Sequence, residues 1–380
     1  MPDQGNPNVQ KEIMAMRKLI RNSISAIMVL LLIVFSSCDK KNENSVLNDS
    51  STELLNISNT GINTTAVGFS DLEIPAHIED SRTQNDISVV INADVEVPEI
   101  ESLYQVACCF DEDNLNQIVN EWFLTSYPNA EMHADESVDF GWIDTDSLAY
   151  MSGNKEGKLY YTDPSRDISG PIEEYDHLFE YGYITDDIPL GMIIDSSKAE
   201  QEAISFITRF TPFEYKAYNI LSIDDKQRNI GFYEVNLQAS LNGIPICIEH
   251  SGDDSFYLLD FKACISSDGI FDFQGNVNLK ISDEQPVETL VDFKEIEECF
   301  LSDIFVLATG TDIMVDRVYL SYVPTKTILK DSEDVKWLIT LTPAWCFECK
   351  ESRIEEGQEI NMQYTIAYNV ENGRIIGKIY

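Results

Sequence analysis

Apolar positions change their period along this chain, and the changes mark out its elements. Over residues 24–35 they are continuous for 12 residues, broken only by Ser25. Over 39–65 they thin out among Asn, Ser and Thr, the composition of a flexible tether, and folded sequence is expected from near Val67. Residues 87–98 have the β-branched density of a strand closed by a proline, and 104–110 read as a second apolar strand. The period then lengthens. Leu115, Ile118, Val119, Trp122 and Phe123 share one helical stripe, with Asp111 or Asp113 as its cap. Several short aromatic strands broken by Gly and Pro, among them 157–161, are expected between Val138 and Gly191.

The second half is more regular. Ser197-Lys198-Ala199-Glu200 is a capping-box pattern, and Ala199, Ala203, Ile204, Phe206, Ile207 and Phe210 follow at helical spacing. Tyr233, Val235, Leu237 and Ala239 alternate with Glu234, Asn236 and Gln238, as in a half-buried strand. Asn242-Gly243 turns the chain back into 244–248, and Asp268-Gly269 marks a second hairpin that ends in a strand over 277–281. A helix over 290–301, strands over 318–322, 337–345 and 362–370, and an Asn372-Gly373 turn into 375–380 repeat this order. Two units of helix plus antiparallel hairpins thus lie in tandem. The fold class is read as α+β, antiparallel sheets with helices packed on one face. An N-terminal α+β domain is expected over 67–190 and a C-terminal domain over 191–380.

Arg17, Lys18 and Arg21 precede the apolar run, and Ser36, Ser37 and Cys38 follow it. A cationic head, a short apolar core and small residues form a secretion signal, whereas a membrane span needs about 20 apolar residues. The cysteine directly after the small residues makes the segment resemble a bacterial lipoprotein signal. That resemblance implies cleavage before Cys38, a diacyl lipid on its thiol and anchoring to a membrane through it. Residues 1–37 would be absent from the working protein, with a start at Met14 or Met16 as an alternative to Met1. Residues 38–66 would be the lipidated tether. Phe35-Ser36-Ser37-Cys38 is closer to the lipoboxes of Bacteroidota-type bacteria than to Leu-x-Gly-Cys. This points to the cell envelope and its outer membrane, on the periplasmic or the surface side.

Charge narrows the partners. The chain has 26 basic and 66 acidic residues, a formal net charge of −40, and 22 against 64 remain beyond residue 37. Such a surface repels phosphate backbones, so nucleic acid is excluded as a partner. With 43% hydrophobic residues the chain still has material for real cores.

Three segments carry a further resemblance: 318–324, 341–347 around Pro343-Ala344-Trp345, and 366–376 with Asn372-Gly373. They resemble the end of Yyc-type proteins, membrane-tethered regulators of sensor histidine kinases built from repeats similar to PepSY domains. They are also similar to a broad group of uncharacterised bacterial lipoproteins with this ending. The resemblance covers roughly 191–380. It implies tandem PepSY-like or Yyc-like repeats and an envelope protein as partner. Yyc-type regulators use a transmembrane helix where this chain has a lipid signal.

Candidate chemistry is sparse. Besides Cys38 there are seven cysteines: Cys108, Cys109, Cys247, Cys264, Cys299, Cys346 and Cys349. An odd number, with adjacent Cys108 and Cys109 on opposite faces of a strand, is not a disulfide framework, and buried thiols acting as small hydrophobes are expected. Trp345-Cys346-Phe347-Glu348-Cys349 has the Cys-x-x-Cys spacing of a redox site. It lacks the following helix that lowers a thiol pKa, so a structural disulfide or free thiols is the preferred reading. Asp111-Glu112-Asp113-Asn114 fits a helix cap better than a calcium loop, and Asp224-Asp225 and Asp253-Asp254 read as turns. His77, His133, His177 and His250 form no metal or catalytic motif. Trp122, Trp142, Trp337 and Trp345 fit core packing better than a sugar platform. No catalytic, cofactor-binding or metal residue is assigned, no cofactor is implied, and lipidation of Cys38 is the one assigned site. The expected function is that of a lipid-anchored cell-envelope protein acting as a non-enzymatic interaction or regulatory module. The second reading is a surface glycan-binding protein or hydrolase of extracellular polymers.

Overall fold

A computed structural model describes residues 64–65 and 69–379, apart from 134–138, 156, 164–182, 185–186, 226–229, 248–258, 332–333 and 356–357. The signal segment, Cys38 and most of the tether therefore lie outside the described residues. Among those described, no helix is long and apolar enough to cross a membrane.

Strands β1 (Thr64–Thr65), β2 (His77–Gln84), β3 (Ile87–Glu96) and β4 (Tyr104–Phe110) precede the first helix. Helix α1 (Glu112–Gln117) continues through a π-helical turn, Ile118–Phe123, into Leu124–Ser126. Next come β5 (Glu131–Met132), β6 (Phe140–Ile143), β7 (Tyr150–Gly153), β8 (Lys158–Thr162) and β9 (Tyr183–Ile184). Helix α2 (Ser196–Ile207) leads into β10 (Glu214–Asp225), β11 (Ile230–Leu241), β12 (Ile244–Pro245), β13 (Asp260–Ser266) and β14 (Gly269–Asn276). Strands β15 (Leu279–Pro286) and β16 (Leu290–Val291) precede α3 (Phe293–Leu307). The chain ends in β17 (Asp312–Asp331), β18 (Asp334–Glu355), β19 (Gln358–Asn369) and β20 (Ile375–Ile379).

Two large sheets dominate. The first runs β15-β4-β18-β17-β3-β2, with β19 beside β18 and β20 beside β19. The second runs β5-β6-β7-β8-β14-β13-β11-β10-β9, with β12 beside β11. Their pairings are antiparallel except β3 with β17, which is parallel, so the first sheet is mixed rather than purely antiparallel. Each helix is followed by a four-strand antiparallel meander: α1 by β5 to β8, α2 by β10, β11, β13 and β14, and α3 by β17 to β20. Of the last two units the sequence pattern marks both helices, strand β11, the β13–β14 turn and strands β17 to β20, and it leaves β10 unmarked. The strands of the first are short and broken by glycine, so their period is faint.

The boundary expected at 190 does not separate sheets. Strand β8 would be an exposed edge if the first unit stood alone, and it pairs with β14 along Lys158 to Thr162. Strands β3 and β4 likewise lie against β17 and β18. The strand expected over 277–281 also belongs elsewhere. Strand β14 ends at Asn276 in the second sheet, and β15 starts at Leu279 in the first.

Caps set the helix starts. Asp111 accepts from the Asn114 amide at 3.4 Å, Asp195 from Lys198 at 2.9 Å and Asp292 from Lys294 at 2.8 Å. Asp195, not Ser197, therefore caps α2, and α3 begins after the short strand that occupies 290–291. The helices lie on the inner faces of the sheets. Phe300 of α3 stacks on Phe347 with ring centroids 4.3 Å apart, and Phe293 meets Trp345 edge-on at 4.7 Å. Trp122 stands 4.7 Å from Tyr161 and 4.8 Å from Phe206, which ties α1 to α2 and to β8. These rings belong to one core shared by both sheets.

Candidate functional site

The outer face of the first sheet carries an open cleft of mixed chemistry. Strands β3, β17, β18 and β19 lie side by side there, and alternation sends every second side chain outward. Their registers place Ser88, Asp312, Ser352 and Asn361 in one cross-strand row. Val90, Met314, Lys350 and Gln363 form the next. Together with Ile313, Glu351 and Met362 they line a cleft of about 560 Å³. Met314 is 53% exposed and Val90 40%, so this face carries apolar groups in solvent beside hydroxyls and amides.

Charges frame the cleft. Asp316 sits at a bulge in β17 and binds the Lys350 ammonium, which raises the pKa of that lysine. Arg317 forks onto Glu96 at 2.9 and 2.8 Å and approaches Glu348 at 3.7 Å. The fork pulls the Glu96 carboxyl down and the guanidinium up. Ser352 donates to Asn361 at 2.6 Å, and the Glu351 carboxylate is taken up by donors on the inner face. A serine beside a general base would be needed for acyl transfer, and neither Ser88 nor Ser352 stands against a histidine in this lining. The surface can hold an extended segment through hydrogen bonds and a Met–Val apolar spot.

The residues singled out by sequence go elsewhere. Cys346 and Cys349 sit in the middle of β18, three residues apart, and so face opposite ways. Cys349 joins the main core and Cys346 a smaller apolar cluster with Cys247, Tyr319 and Ala367. Among the described residues no disulfide is formed. Burial pushes the Cys108 thiol up to about 12 and Cys349 further up. The helix N-terminus that a redox pair requires is missing at β18.

Asp111 caps α1 and also takes an ion pair from Lys280 at 3.4 Å, while Asn114 bonds the carbonyls of Phe210 and Val277. That is a brace, not a cation loop. Among the described residues, no group of three or more His, Cys, Asp or Glu is placed to hold a metal. Asp224 and Asp225 end strand β10 instead of forming a turn, and Asp224 accepts from the Leu190 amide at 2.5 Å. His77 pairs with Asp94 at 2.8 Å on the sheet edge and His133 is exposed. His177, His250, Asp253 and Asp254 lie outside the described residues. Trp142 and Trp345 are buried and Trp122 sits within a cluster of rings, so none of these three offers a flat face to a sugar.

Sequence reasoning missed the cleft. Ile313-Met314-Val315 reads as a uniformly apolar run, and nothing in it marks Met314 as the one residue facing out.

No protein-family model matches the chain, and no curated protein matches it. One similar solved structure is the crystal structure of an uncharacterised protein from Eubacterium rectale. It is 13% identical, covers 79% of this chain and 93% of that one, and superposes with a TM-score of 0.49.

Proposed function

We propose that this is a lipid-anchored cell-envelope protein that presents the outer face of its first sheet to a protein partner, without chemistry of its own. The carrying observation is the cleft among Ser88, Val90, Met314, Lys350, Asn361 and Gln363. It pairs exposed apolar groups with hydrogen-bonding ones on a rigid four-strand platform. The cationic head, short apolar core and Cys38 support the anchoring, and the polar sequence after Cys38 supports a tether.

Two experiments test the two halves. A photo-crosslinking residue placed at Met314 or Gln363 in cells is expected to give a reproducible adduct with one envelope protein. The same probe at Met132, exposed on the edge strand β5 of the second sheet, is expected to give none. Equal, diffuse labelling from all three positions would remove the docking face. Metabolic labelling with a fatty-acid analogue is expected to mark the wild type and leave C38A unmarked. Equal signal from both would remove the anchor.

A further inference from the structure

We propose that Cys247 and Cys346 are the two halves of a disulfide that closes when the folded chain meets a disulfide oxidant. Cys247 Sγ lies 3.9 Å from the Tyr319 hydroxyl, and Tyr319 is the cross-strand partner of Cys346 between β17 and β18. Tyr319 thus lies against both cysteines, touching one through its hydroxyl and facing the other across the ladder. All three side chains belong to one small apolar cluster with Val323, Ala344 and Ala367, separate from the main core. Two thiols buried in one cluster around the same ring can close to an S–S length of about 2.05 Å. Cys349, although nearer in sequence, points into the other face of β18.

The bond would join two elements that the fold otherwise holds by packing and a few hydrogen bonds. Cys247 follows β12, which pairs with β11 of the second sheet, and its amide donates to the Tyr322 carbonyl at 2.8 Å. Cys346 lies in the centre of the first sheet. Closing the chain from 247 to 346 constrains the unfolded state across a long loop.

The chemistry balances with an external disulfide as oxidant. Cys247 is 4% exposed and Cys346 fully buried, so Cys247 is reached first. Its thiolate attacks one sulfur of the oxidant, and the departing thiolate takes up the proton that Cys247 released. The Cys346 thiolate then attacks Cys247 in the mixed disulfide, and the second half of the oxidant leaves with the proton from Cys346. Two protein thiols lose two electrons and one external disulfide becomes two thiols. Cys247 and burial both hold the Cys346 thiol well above its ordinary pKa, which makes the second displacement the slow one.

This inference does not depend on export or lipidation, and its test uses purified protein. The full chain in detergent would be equilibrated with hydroxyethyl disulfide, unfolded, blocked with a maleimide and digested with trypsin. Mass spectrometry is expected to show fragment 229–262, which carries Cys247, joined to 337–350, which carries Cys346 and Cys349. C349A should keep the join and C346A should lose it. Oxidation should raise the melting temperature by about 5 °C in the wild type and in C349A, and leave it unchanged in C247A. Maleimide on both Cys247 and Cys346 after oxidation would overturn the proposal, as would arrest at a mixed disulfide on Cys247 or a join that survives in C346A.

Discussion

Replacing Glu351 by glutamine is expected to destabilise the fold by about 3 kcal/mol, read as a lower urea midpoint at neutral pH. The Glu351 side chain is fully buried. It accepts from the Thr309 amide at 2.8 Å, the Thr309 hydroxyl at 2.7 Å, the Gly310 amide and the Tyr364 hydroxyl at 2.5 Å. Lys378 adds an ammonium at 3.9 Å and lies over the Tyr364 ring. One carboxylate on β18 thus gathers the turn after α3, strand β19 and strand β20. Glutamine keeps the volume but brings an NH₂ to a site surrounded by donors, and it removes a buried negative charge 3.9 Å from the Lys378 ammonium. T309A removes one donor and should cost only about 1 kcal/mol. If E351Q and T309A lose equally little, the carboxylate does not organise this corner.

The same group sets a pH dependence. Burial pushes Glu351 up, but the bonds from Tyr364 and Thr309 and the charge of Lys378 outweigh it, so its pKa lies below the ordinary 4.5. As pH falls below that value the unfolded chain takes its proton first. The stabilisation from Glu351 is therefore complete above pH 4.5 and is lost as pH drops through the lower folded value. Asp260 acts in the opposite sense, since burial raises it to about 6, and protonation of Asp260 below that pH favours the folded state. The two partly cancel in the wild type. The gap between wild type and E351Q isolates Glu351, and it should narrow only below pH 4.5. A gap that stays constant down to pH 3 would contradict the assignment.

What the sequence disclosed and what it hid follow from the range of each interaction. Strands β3 and β4 and the helix over 111–123 were legible because their signals, β-branched density and a capped apolar stripe, are local. The Asn242-Gly243 turn was legible for the same reason, and both residues indeed have positive φ, 52° and 78°. The partners of those strands were not legible. Asp312 to Tyr319 lie beside Ser88 to Glu96 in a parallel pairing that no local pattern announces. β8 found β14 because two open edges met. Cysteine spacing misdirected attention in the same way. It singled out Cys349 as the companion of Cys346, although an offset of three on a strand separates two side chains by the thickness of the sheet. The companion, Cys247, comes from a segment paired with the other sheet. The cleft was hidden because its rows exist only once four strands are in register.

Removing the ring of Phe300 is expected to cost the most of any single change considered, about 3–5 kcal/mol for F300A. Phe300 is fully buried and lies parallel to Phe347 at 4.3 Å with a 5° tilt, and Tyr368 closes the site edge-on to both rings at 6.5 and 5.9 Å. The loss includes the transfer of a large apolar group and the cavity left between a helix and a sheet that cannot collapse freely. One turn further along α3, Asp303 accepts from the Tyr368 hydroxyl at 3.1 Å, which keeps α3 seated on β19 in the variant. The variant should therefore fold, with a lower urea midpoint and a weaker near-ultraviolet aromatic signal. F300L, which fills most of the space, should lose under half as much. Phe347 points inward from β18 while Cys346 and Lys350 point outward. The damage should then stop at the sheet: below its melting temperature F300A is expected to keep the crosslinking pattern of Met314 and Gln363. Loss of that pattern in folded F300A would show that the outer face depends on how α3 packs behind it, and that the sheet is not the rigid platform its long β17–β18 ladder implies.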